Sequence, residues 1–269
     1  MIRKFTSYPV KDFKHVKAQM LNWSNQFNIF CLLDNHQYNL DNAAFECMIG
    51  AGSIKTLEAF AGNAFVQLQN FRDENCDWMF GHLSYDLKKE TENVSSRLPD
   101  HILFPDLFFF IPEIILQLNQ SELKIGIIDG DTVKIFEEII SFSESTGIIK
   151  QDFSEIKSRF SKEEYVAVVE KLREHILRGD CYEINFCQEF FIEQKTIDPL
   201  KIYNSLSELS PNPFSSFYRL NNKYLLCASP ERYLKKTGDK IISQPIKGTL
   251  KRETDIEADD IKKGEFLFN

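Results

Sequence analysis

A lysine and a glutamate near the two ends of one short stretch have neighbours that suit chemistry better than solvation. Lys247 sits in Pro245-Ile246-Lys247-Gly248-Thr249, between an apolar dipeptide and a glycine. Glu231 lies upstream in Ser229-Pro230-Glu231-Arg232, and the apolar runs between them flank Gly238-Asp239, a two-residue hairpin signal. Counting outward from that turn sets Glu231 opposite Ile246, with Lys247 next door. Directly opposed residues on antiparallel strands lie about 4.5–5.5 Å apart, so the carboxyl and the amine can reach one small molecule. A bulge at Pro230 or Pro245 moves this register by a residue. A lysine stripped of part of its water loses proton affinity and becomes a nucleophile, while a glutamate in the same place keeps its proton and can act as an acid. Gly248 lets a ligand approach the backbone, and Thr249 offers a hydroxyl. Spacing alone is also met by an exposed ion pair worth under about 1 kcal/mol, and at this point both readings stand.

The elements that must hold this pair follow from periodicity. Ser161 and Glu164 form an S-x-x-E capping box, and Tyr165, Val168, Val169, Leu172 and Ile176 follow at helical spacing. A helix is expected to run to about Arg178 and stop at Gly179. Residues 181–191 alternate, with Tyr182, Ile184, Phe186 and Phe190 to one side and Cys181, Glu183, Asn185 and Glu189 to the other, which predicts a strand. A helix near 198–209 and the turn Pro211-Asn212-Pro213 lead into a meander over 214–236. Earlier, 27–39, 77–87 and 101–118 read as strands, and a helix falls within 48–71. The runs 123–128 and 132–136 read as a hairpin about Asp129-Gly130-Asp131. The polar run 141–160 separates a region 1–150 from a region 151–269, and a short helix at 153–159 fits there equally well. This order is an α+β layout.

Composition excludes several classes. The chain has 269 residues, 43% hydrophobic and 27% charged, enough for one substantial core or two domains. A net charge of −8 argues against nucleic acid, which needs a concentrated basic face. The six cysteines form no CxxC pair and stand at no metal-finger spacing from the five histidines, so they read as buried thiols of a reducing cytoplasm. No apolar core of a secretory signal follows Met1. The most apolar stretch, 101–118, is cut by Pro105, Asp106, Pro112 and Glu113, so no membrane helix is expected there.

The segments GDCYEINFCQEF (179–190), SPER (229–232) and PIKGT (245–249) resemble the chorismate-utilising enzymes, the family of anthranilate synthase component I and aminodeoxychorismate synthase component I. FGHLSYDL (80–87), FPDLFFFIP (104–112) and LLDN (32–35) are looser matches, and the resemblance spans nearly the whole chain. It implies layered antiparallel sheets flanked by helices, incomplete here. Residues 1–150 would form the N-terminal region, and 151–269 the first part of the chorismate-binding catalytic region. Within the family PIKGT marks aminodeoxychorismate synthases, whereas anthranilate synthases usually carry PIAGT. The resemblance therefore implies chorismate and ammonia as substrates. It gives Lys247 as the nucleophile at C2, Glu231 as general acid/base at the departing 4-hydroxyl, and Gly248 and Thr249 in the ring pocket.

Glu183 stands where isochorismate and salicylate synthases carry a water-activating lysine and the amino-transferring branch a glutamine, so a role in nucleophile selection departs from the pattern. Asp34 and Asn35 replace the Glu-Ser of a related tryptophan pocket, and no tryptophan regulation is expected. Further implications are folate and p-aminobenzoate synthesis, a separate glutaminase subunit as the ammonia source, and a magnesium ion. The magnesium ligands belong to family segments that would follow residue 269, so no metal ligand is assigned within the chain. On that ground the isolated chain is expected to be inactive or poorly folded, with sheet edges unpaired. Two alternatives remain: the same fold making anthranilate, and a non-catalytic module that binds a partner through its N-terminal sheet.

Overall fold

The computed structural model describes residues 2–38, 46–95, 98–142, 156–193, 196–246, 255, 257–259 and 261–262. In chain order the first elements are β1 (Lys4–Pro9), α1 (Phe13–Ser24), β2 (Ile29–Asp34), β3 (Cys47–Ala51), β4 (Lys55–Ala59), α2 (Ala64–Glu74) and β5 (Phe80–Leu83). There follow α3 (Lys88–Thr91), β6 (Leu107–Ile111), β7 (Ile114–Leu118), β8 (Glu122–Ile127) and α4 (Thr132–Ser141). The remainder are β9 (Lys157–Ser158), α5 (Lys162–Arg178), β10 (Phe190–Phe191), α6 (Pro199–Leu209), β11 (Phe214–Leu220), β12 (Lys223–Ser229), β13 (Arg232–Thr237) and β14 (Lys240–Gln244). The chain divides into two compact units, residues 1–144 with 200–269, and residues 145–199.

The first unit is built on a seven-stranded antiparallel sheet in the order β1-β8-β7-β3-β2-β11-β12. Its central strands read as unbroken apolar runs because both faces are covered. On one face Phe30, Leu32, Ile49, Leu116, Leu123 and Phe217 pack with Phe13, Val16 and Met20 of α1, Ile139 of α4 and Tyr203 of α6. On the other, Cys31, Met48, Ile115 and Tyr218 meet Phe80, Phe108 and Phe110 of a three-stranded sheet, β4-β6-β5. Alternate residues of β2 thus serve two cores. The molecule is α+β with layered antiparallel sheets flanked by helices, as the sequence implied. Strands β1 and β12 are the edges of the large sheet.

Four expectations are corrected. Residues 132–136 are not the second arm of a hairpin but the start of α4, because Asp131 accepts the Val133 N–H at 2.8 Å and caps a helix whose Ile139 is fully buried. Residues 181–189 form no strand: the ladder in the second unit joins only Phe190–Phe191 to Lys157–Ser158. Alternation supplies faces but not a partner, and a strand needs the partner. Residues 157–158 are accordingly extended rather than helical, while 151–155 lie outside the described residues. The cysteines are all free, yet only Cys31 and Cys47 are buried; Cys76 and Cys187 are exposed.

In the second unit α5 bears out its local signals. Ser161 and Glu164 form the reciprocal capping box, and Gly179 closes the helix at φ +82°. Phe186 lies 5.2 Å from the Tyr165 ring and 5.5 Å from that of Phe160.

Candidate active site

Glu231 projects from the turn that links the large sheet to the ribbon β13–β14. Strand β12 ends at Ser229 because Pro230 has no N–H to continue the ladder. The Ser229 hydroxyl accepts the Glu231 N–H at 3.2 Å and donates to the Glu231 carbonyl at 3.1 Å. One residue on, the Arg232 guanidinium lies 4.9 Å from the centre of the Phe214 ring. Phe214 is the register partner of Ser229 across β11–β12.

The ribbon turns at Gly238, whose φ of +57° suits a residue without Cβ. Thr237 pairs with Lys240, Lys236 with Ile241 and Lys235 with Ile242, as counting outward from Gly238-Asp239 predicts. A register shift between Arg232 and Lys235 then pairs Arg232 with Gln244. Continuing that register sets Glu231 level with Pro245 instead of Ile246, so Lys247 is two residues beyond its partner in the sequence and not next door as counted from the turn. The bulge lies within β13 and at neither proline. Lys247, Gly248 and Thr249 themselves lie outside the described residues. Glu231 is exposed, as are all residues of β14. Glu183 is an exposed residue of the second unit, in the segment between α5 and β10.

A buried ionic cluster escaped the sequence reading. Lys17 Nζ of α1 lies 2.5 Å from Asp34 Oδ2 at the end of β2, and His36 Nε2 lies 3.5 Å from the same oxygen. The Asp34 side chain is only 2% exposed. Burial pulls the His36 pKa down, the Asp34 carboxylate pushes it up, and Lys17 lowers it again. Burial also raises the Tyr203 phenol, with the Asp34 charge adding to it. Asp34 and Asn35 were visible as part of LLDN, but no spacing rule ties Lys17 to them, since the pair forms only when α1 packs on the sheet. A cleft of about 830 Å³ lies elsewhere, lined by residues that include Ile2, Arg3, Phe5, Arg72 and Trp78. Among the described residues, no group of three or more His, Cys, Asp or Glu side chains could hold a metal ion, and no helix is long and apolar enough to cross a membrane.

A family model described as chorismate binding enzyme matches residues 30–269, and the chain belongs to that family. It is similar to aminodeoxychorismate synthase component 1 of Bacillus subtilis, 25% identical over 232 residues that make up 80% of this chain and 47% of that protein. It is similar as well to anthranilate synthase component 1 of Cereibacter sphaeroides, 22% identical over 254 residues, 87% of this chain and 50% of that one. Aminodeoxychorismate synthase component 1 of Escherichia coli is 26% identical over 182 residues, covering 66% of this chain and 40% of that protein. The chain spans about half the length of the curated relatives it matches, or less.

Proposed function

We propose that the protein acts as an aminodeoxychorismate synthase component, converting chorismate and ammonia to 4-amino-4-deoxychorismate and water, for folate and p-aminobenzoate synthesis. Lys247 Nζ attacks C2 of chorismate, the ring double bonds shift, and the 4-hydroxyl leaves as water with a proton from Glu231. Ammonia then bonds to C4, the double bonds shift back, and the lysine amine departs from C2. Gly248 and Thr249 line the ring pocket, and Glu183 bears on which nucleophile is admitted.

The observation that carries this reading is the register of β13–β14, which brings the SPER glutamate and the strand running into PIKGT to one end of the ribbon. Two of the relatives named above are aminodeoxychorismate synthases, which supports the same choice. Their designation as component 1 supports a separate glutaminase as ammonia source. A cytoplasmic location belongs to the proposal and is supported by six free cysteines. Magnesium belongs to it on family grounds alone, and no step above passes through a metal.

The likeness to an anthranilate synthase over 87% of the chain favours a second reading, in which anthranilate is the product. Product identification separates them. The protein as its gene encodes it, given chorismate, ammonium and magnesium, is expected to yield the 4-amino product. Lys247→Ala should lose that product by about 10²–10⁴-fold, and anthranilate from the unaltered protein would overturn the assignment. The 269-residue chain alone is expected to form no product, because Glu231 stands open to water and not in a closed pocket around the substrate. Turnover by that chain would refute this.

A further inference from the structure

We propose that Ser229 and Arg232 are positioning residues for Glu231, an inference that rests on the catalytic reading of Glu231. The turn that carries this glutamate is tied at both ends to one residue of the large sheet. Ser229 is the register partner of Phe214, and the Arg232 guanidinium covers the Phe214 ring at 4.9 Å. Between these ties the Ser229 hydroxyl engages both backbone polar groups of Glu231, its N–H at 3.2 Å and its carbonyl at 3.1 Å. Pro230 adds a fixed φ. The Glu231 backbone therefore has little freedom even though its side chain is exposed.

Arg232 has a second task. It pairs with Gln244 across the ribbon, beyond the register shift, so the residue lodged on Phe214 also faces the last residue of β14, three residues before Lys247 in the sequence. A single cation–aromatic contact thus relates the acid's turn to the end of β14. Asn212 steadies the same corner, its amide donating to the Ala228 carbonyl at 3.2 Å. Reacting groups tolerate little misplacement, an error of about 1 Å costing about 10²-fold. Loss of either tie should therefore appear in the chemical step and leave substrate binding nearly unchanged.

The test uses the protein as its gene encodes it, with chorismate, ammonium and magnesium, together with amide hydrogen exchange at Glu231. Ser229→Ala is expected to speed exchange of the Glu231 N–H by about tenfold and to lower kcat by about tenfold with KM within about twofold. Ser229→Thr should restore both. Arg232→Ala and Phe214→Leu should each lower kcat, and the double variant should lose no more than the worse single one. An unchanged Glu231 exchange rate in Ser229→Ala overturns the inference whether or not turnover is seen. Additive losses for Arg232 and Phe214 overturn the second tie. Glu231→Gln keeps the two claims apart. Full activity in that variant sinks the catalytic reading, whereas an inactive Glu231→Gln beside a fully active Ser229→Ala sinks the positioning alone.

Discussion

Arg3 uses every donor of its guanidinium while its side chain is only 3% exposed. Nε and one terminal nitrogen grip Asp77 at 3.1 and 2.7 Å, and the remaining N–H groups reach the carbonyls of Pro112, Glu113 and Gly126. Removing it strands a carboxylate and three carbonyls, so Arg3→Ala is expected to cost about 3–5 kcal/mol in urea unfolding. Arg3→Lys should recover only part, because an ammonium cannot reproduce the planar fork. A loss below about 1 kcal/mol would contradict this account. Two histidines make a second residue-scale prediction. His82 Nε2 donates to the Pro105 carbonyl at 2.9 Å, and Nδ1 lies 3.3 Å from the Tyr218 hydroxyl. Burial lowers its pKa, partly opposed by the Pro105 carbonyl, and burial likewise leads at His36. The unfolded chain then takes up protons first as pH falls below about 6.5. Stability is full above that value and declines as pH drops toward the folded pKa values. The urea midpoint is expected to be lower at pH 5.5 than at pH 7.5, with His82→Gln shrinking the gap; an equal or higher midpoint at the acid pH would oppose it. None of these partners could be read in the sequence, because each pair joins residues from separate elements.

At the scale of the element, helices were legible wherever their signals were local. The capping box at Ser161, the apolar spacing of α5 and the closing glycine all lie within one continuous stretch, and the helix forms as expected. The segment after Asp131 shows the opposite case. Its first residues, Thr132 to Phe136, are β-branched or aromatic in the main and suggest a strand; the helical period emerges only once Phe136 and Ile139 are both included. The structure decides it by stacking Phe136 on Tyr8 at 4.4 Å and burying Ile139. Asp131→Ala should therefore destabilise α4 by about 1 kcal/mol, read from the thermal midpoint, whereas Asp131→Asn, whose amide oxygen can also accept the Val133 N–H, should avoid most of that loss. No change in the midpoint would mean that packing alone holds the helix start. The ribbon was legible to within one residue because Gly238-Asp239 fixes its turn, but the bulge in β13 was not, since no local signal marks it.

At the scale of the whole molecule, one close approach governs how the two sheets of the first unit stack. A Cβ added at Gly50 of β3 would lie 2.7 Å from the Phe80 ring of β5, which is itself buried. Gly50→Ala is expected to cost about 1–3 kcal/mol through overpacking, measured by denaturant unfolding, and an unchanged midpoint would show that Phe80 can move aside. By itself the sequence determined the α+β class, the family, the capped helix α5 and the ribbon β13–β14 that lies between SPER and PIKGT in the chain. These rest on short-range pattern, on turn chemistry and on motifs that need no distant partner. Tertiary structure alone decided that 132–136 is helical, that 181–189 forms no strand, that Arg3 is sealed among three carbonyls, and that Lys17 meets Asp34. Each depends on groups far apart in the chain, whose meeting is set by how apolar faces pack.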